Sequence, residues 1–61
     1  MFTLQFDMNG DAFAGHTYDL EIVRILMVVR DSVIAGYYGG PIRDVNGNII
    51  GHWEIELEED Q

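Results

Sequence analysis

The sequence predicts an α+β domain of order β-α-β-β, a three-stranded antiparallel sheet with one long helix packed on one face. Three observations carry this: apolar and polar side chains alternate over residues 2–8, an apolar helical period runs through 18–35, and Asn46-Gly47 separates two apolar runs near the C-terminus.

Phe2, Leu4, Phe6 and Met8 alternate with Thr3, Gln5 and Asp7, the pattern of a strand with one buried face. Asn9-Gly10-Asp11 is a turn signal that ends it, and 12–16 is a short connector whose Phe13 is expected to tuck under the helix. Thr17 stands where an N-cap belongs, with Asp19 and Glu21 in the first turns, where negative charge is favoured by the helix dipole. Ile22, Ile25, Leu26, Val29 and Val33 recur at the spacing of one core-facing stripe. Gly36 fits just past the last turn, where a left-handed residue closes a helix. A helix over 18–35 is about 27 Å long and a seven-residue strand about 23 Å, so helix and sheet match in length.

Residues 37–41 return the chain to the sheet, and Pro41 marks a strand start or a sheet edge because it has no N–H to donate. Residues 42–45 and 48–57 flank Asn46-Gly47, the residue pair that a two-residue type I′ turn prefers. In the last strand Ile49, Gly51, Trp53, Ile55 and Leu57 share one face, with Trp53 in the core, while Ile50, His52, Glu54, Glu56 and Glu58 share the other. This longest strand is expected at the centre, antiparallel to both neighbours. A central second strand parallel to the first also satisfies the connection rules. Residues 1–57 form one domain, and 58–61 form an acidic tail expected to be flexible.

A chain of 61 residues buries only about 60% of the surface its unfolded form exposes. Stability at this size is commonly reinforced by disulfides, a structural metal or oligomerisation. With no Cys, disulfides and thiolate zinc are excluded, and oligomerisation is the simplest reinforcement left. Eleven Asp and Glu oppose three Arg and no Lys, a formal net charge of −8. Such a surface repels nucleic-acid backbones and anionic membranes and attracts a basic groove. At 48% hydrophobic residues the chain is too apolar for the disordered acidic class. The apolar run 25–29, bracketed by Arg24 and Arg30, is far shorter than the roughly 20 residues that cross a bilayer. The sequence shows no basic region followed by an apolar run and a small-residue cleavage site, so a cytosolic setting is expected.

Asp44, Asn46 and Asn48 resemble the opening of a calcium loop, but Ile49 and Ile55 stand where such a loop needs Gly and Glu, and a hairpin turn explains the three residues without a metal. His16 and His52 are the only imidazoles; His52 has Glu54 two residues on, and no third ligand is recognisable. Ser32 is the sole serine, mid-helix and without a base placed by spacing, and Gly36, Gly39 and Gly40 precede a strand rather than a helix. No catalytic residue, metal site or cofactor is therefore expected.

Two surfaces remain. Glu54, Glu56 and Glu58 recur about 6.7 Å apart on one strand face, with Asp7 and Gln5 on the neighbouring strand; the phosphates of one DNA strand recur every 3.4 Å or so, so the row copies that line at half density. A solvated strand face is commonly charged, but ordinary faces mix signs and this one has no Lys. Asp7, Asp44, Glu54, Glu56 and Glu58 are the candidate partner-binding acids, acting as acceptors for Arg and Lys. Leu20, Val23, Met27 and Ile34 form a second apolar helix stripe with Arg30 at its edge. It is either a homodimer interface formed by these five residues or a surface covered by Phe13, Tyr37 and Tyr38.

Glu21-Ile-Val-Arg-Ile-Leu, with Gly39-Gly-Pro-Ile-Arg-Asp-Val-Asn-Gly-Asn-Ile-Ile-Gly-His-Trp-Glu-Ile after it, resembles the small β-α-β-β accessory proteins of tailed bacteriophages, which share such a helix and hairpin. The resemblance covers about residues 19 to 57, and Met27, Val28 and Ile34 stand where those relatives carry charge, which points to an added interface. It implies phage origin and no defined activity. By analogy with small acidic phage proteins, the expectation is a non-enzymatic, homodimeric inhibitor in the bacterial host cytoplasm, anti-CRISPR-like or DNA-mimicking, that binds a nucleic-acid-handling host protein with a basic groove and binds neither nucleic acid nor membrane itself. The alternative is a structural, assembly or regulatory accessory acting through the apolar helix face.

Overall fold

The computed structural model describes residues 1–58; the expected acidic tail lies outside them except for Glu58. Strand β1 (Phe2–Phe6) leads through two single 3-10 turns, Asp11–Phe13 and Gly15–Thr17, into helix α1 (Tyr18–Ile34), followed by β2 (Gly39–Arg43) and β3 (Ile49–Ile55). The sheet order is β1-β3-β2 with both pairings antiparallel, so the longest strand is central. Met1 and Glu56 exchange backbone hydrogen bonds, and Ile55 N donates to Tyr38 O at 2.7 Å. Because antiparallel pairs alternate, Gly51, Trp53 and Ile55 of β3 bond to β2 and its even residues to β1.

One irregularity resets the side-chain phase. Ile42 lies opposite Gly51 and Arg43 opposite Ile49, so Ile50 is the extra residue of a β-bulge. The expected assignment of these two isoleucines is inverted there: Ile50 packs against the core, and Ile49 is 61% exposed. Leu57 lies beyond the end of β3 and is exposed rather than inward. Gly51 is required at this crossing, since a Cβ would sit 2.0 Å from Gln5 O and 2.6 Å from Phe6 Cα.

The hairpin loop is one residue longer than a type I′ turn. Gly47 N donates to Asp44 O and Asp44 N to Asn48 O, both at 2.9 Å, and only Gly47 of the loop has positive φ, at 88°. This is the three-residue loop in which a type I turn is followed by a left-handed glycine.

Helix α1 ends as expected: Gly36 has φ of 100°, and Tyr37 N to Ser32 O with Gly36 N to Val33 O, each 3.0 Å, complete a Schellman motif. Its start differs. The Thr17 hydroxyl donates backward to Ala14 O at 3.4 Å and caps nothing, while the Asp19 carboxylate accepts from Leu20 N at 2.8 Å.

The core is Phe13, Ile25, Val29, Ile42 and Trp53, with Leu4, Phe6, Ile22, Ile50 and Ile55 packed around it. Phe13 does tuck under the helix, stacking on Phe6 with ring centroids 5.9 Å apart. The helix packs against β2 and the two 3-10 turns. Its buried side is therefore centred on Glu21, Ile25 and Val29, while Leu26 and Val33, expected in the core stripe, lie outside it.

Ile25→Ala is expected to cost about 2–5 kcal/mol, a large share of the 5–15 kcal/mol typical of a domain, and urea denaturation followed by Trp53 fluorescence measures it. Gly51→Ala is expected to abolish the β1–β3 pairing, read as loss of the cooperative thermal transition by circular dichroism.

Candidate functional site

The open face of the sheet carries Thr3 and Gln5 from β1, His52 and Glu54 from β3, and Gly39 and Pro41 from β2, since partners in register share a face. Glu54 lies between Thr3 and Gly39. Glu56, paired with Met1, extends the same row, and Glu54, Glu56 and Glu58 are all exposed. Three of the five predicted acids thus gather at one end of the sheet.

The other two do not join them. Asp7 follows the far end of β1, where its backbone N–H reaches Ile50 O, four residues or about 14 Å along the strand from the position opposite Glu54. Its carboxylate accepts from Asn9 N at 2.9 Å. Asp44 is buried, 5% exposed, and its carboxylate accepts from Asn48 N at 2.9 Å, Asn46 N at 3.0 Å and Asn48 Nδ2 at 3.2 Å. The Asn48 and Asn46 donors hold its pKa below the ordinary carboxylate value. Asp44 anchors the hairpin loop and does not offer its carboxylate to a partner.

A second buried acid escaped sequence reasoning. Its position in the first turns of the helix predicts a dipole role for Glu21, yet its carboxylate accepts from Arg24 Nε at 2.8 Å, Arg24 Nη2 at 3.0 Å and Val45 N at 2.8 Å. Arg24 Nη2 also donates to Arg43 O at 2.8 Å. The Arg24 guanidinium lowers the Glu21 pKa, and Glu21 in turn raises that of Arg24. The available signal was Glu and Arg three apart on the helix side that carries Ile25.

This clasp decides the electrostatics of the surface. Among the described residues the ion pairs are Arg24–Glu21 and Arg30–Asp31, and Arg43 Nη1 is turned onto Gly47 O at 3.2 Å. The exposed Glu54, Glu56 and Glu58 have no counter-ion among them.

The second helix stripe is uncovered. Leu20 and Ile34 are 68% and 76% exposed, Val23 and Met27 about half, and Arg30 is exposed beside Asp31. Phe13 is in the core and both tyrosines are themselves exposed, so none of the three covers it. On the opposite flank of α1, an open cleft of about 580 Å³ lies alongside the contact of the helix with β2, lined by Val28, Val29, Tyr37, Pro41 and Trp53. His16 and His52 are exposed, and among the described residues no group of three His, Cys, Asp or Glu is placed to hold a metal ion. No described helix is long and apolar enough to cross a membrane.

No protein family, curated protein or solved structure matches this chain.

Glu21 and Asp44 have folded-state pKa values below their ordinary ones, so the unfolded chain binds more protons in acid and the stability they confer is present above about pH 4 and lost below it. Asp44→Asn is expected to lower the urea midpoint at pH 7, with the gap to wild type closing as the pH falls toward 3. A gap that stays constant over that range would place the stabilisation outside the carboxylate charge.

Proposed function

We propose that this protein is a non-enzymatic, phage-encoded inhibitor that acts as a homodimer in the bacterial cytoplasm and occupies the basic groove of a host nucleic-acid-handling protein. What supports the reading is the uncompensated row Glu54, Glu56 and Glu58, left without counter-ions because Arg24 and Arg30 are engaged in local pairs. Carboxylates spaced along a strand accept bidentate bonds from Arg and steer a basic surface from a distance. Asp7 adds charge at the opposite end of the sheet, and Asp44 contributes only by holding the hairpin.

A second reading has its own support. The uncovered α1 stripe of Leu20, Val23, Met27 and Ile34 suits an accessory protein that docks a partner of assembly or regulation through apolar contact.

Immobilised wild type is expected to retain from bacterial extract a nucleic-acid-handling protein that either raised salt or competing duplex DNA elutes, because the contacts are screened and the groove is shared. Glu54→Lys with Glu56→Lys is expected to retain none of it while keeping the wild-type thermal transition. Retention by that variant, together with loss of retention in Met27→Glu, would transfer the function to the helix stripe.

A further inference from the structure

The two edges of the sheet are not equivalent. Along β2, the residues whose backbone groups face outward are Gly39, Pro41 and Arg43, because Tyr38 bonds inward to Ile55 and antiparallel pairs alternate. Pro41 has no N–H to offer, and the outward carbonyl of Arg43 is taken by Arg24 Nη2. This edge is closed to an added strand.

The β1 edge is open. Met1 exchanges bonds with Glu56 and Asp7 N reaches Ile50 O, so the odd residues of β1 bond to β3 and Phe2, Leu4 and Phe6 turn their N–H and C=O groups outward. None of these six groups has a partner among the described residues. No Pro, bulge or charged side chain guards the strand: in a chain of net charge −8, residues 2–6 are Phe, Thr, Leu, Gln and Phe. Phe2 is 53% exposed on the helix side, where its ring lies 6.2 Å from that of Trp53.

We infer that β1 pairs antiparallel with β1 of a second copy, about a twofold axis at Leu4, to make one continuous six-stranded sheet. In this register Leu4 meets the partner's Leu4 and Phe2 meets the partner's Phe6, and all six outward groups on each copy are satisfied. On the helix side the contact is apolar; on the open side Thr3 faces the partner's Gln5. Residues 2–6 carry no charged side chain, so the strands themselves meet without like charges, and Asp7 falls opposite the partner's Met1. The assembly closes at two copies, since the pairing consumes the one open edge and β2 admits no further strand. Self-contact through β1 leaves the α1 stripe and the glutamate row free, so this inference does not depend on which of them binds a target.

The test is a sedimentation dilution series combined with amide hydrogen exchange on the wild type. The expected result is a species of twice the 6.9 kDa chain mass that dissociates on dilution, with Leu4 and Phe6 amides protected at least about tenfold more in the dimer than in the monomer. Thr3 and Gln5 amides, bonded to β3, are protected at both concentrations. Thr3→Glu with Gln5→Glu alters only the open face, so it is expected to split the dimer and keep the fold, and mixing it with Thr3→Lys, Gln5→Lys chains is expected to restore a mixed dimer. A monomer at all concentrations overturns the inference. So does a dimer whose Leu4 and Phe6 amides exchange freely, or one that Met27→Glu splits and the glutamate pair does not.

Discussion

The carboxylate of Glu21 is the point at which helix and hairpin meet. It takes two bonds from Arg24 and one from Val45 N, and Arg24 passes a further bond to Arg43 O. Below it, Asp44 gathers the backbone of the same loop. A five-residue core is small for a domain, and these charge-assisted bonds join segments twenty or so residues apart, adding to the contact that Ile25 and Val29 of the helix make with Ile42 and Trp53 of the hairpin. Removing Arg24 would leave the buried Glu21 carboxylate with Val45 N as its remaining donor, so the network specifies one packing of helix on hairpin as much as it stabilises it.

The clasp also decides what the helix leaves bare. Drawn toward β2, α1 buries Glu21, Ile25 and Val29 and turns Leu26, Val33 and the whole second stripe outward. Phe13, stacked on Phe6, covers the β1 side of the core. The domain is thus asymmetric: the β2 edge is closed by Pro41 and Arg24, while at the β1 edge Phe2, Leu4 and Phe6 have no backbone partner among the described residues.

The same bonds set the surface charge. With few cations available, placing Arg24 on Glu21 and Arg30 on Asp31 leaves the sheet-end glutamates to the solvent. A glutamate-rich end, a strand edge without charged side chains and an uncovered apolar helix stripe are three separate surfaces. Each suits a different contact: a basic groove, a second copy and an apolar partner.

Order and type of the elements, the central place of the long strand, Phe13 under the helix, the Gly36 closure and Trp53 in the core were all legible in the sequence, because each follows from local periodicity or from one residue's backbone preference. Alternation placed Glu54, Glu56 and Glu58 on one strand; Glu54 lies on β3, and Glu56 and Glu58 follow its end. Three things were decided only by the tertiary structure. The bulge at Ile50 exchanged the roles of Ile49 and Ile50, because one extra residue in a strand inverts side-chain phase and nothing in an Ile-Ile pair marks it. Asp44 and Glu21 became internal anchors instead of surface charges, because the value of a carboxylate depends on donors that arrive from elsewhere in the chain. The unguarded edge at β1 became visible only with the hydrogen-bond phase of its pairing to β3, which alternation in the sequence leaves undetermined.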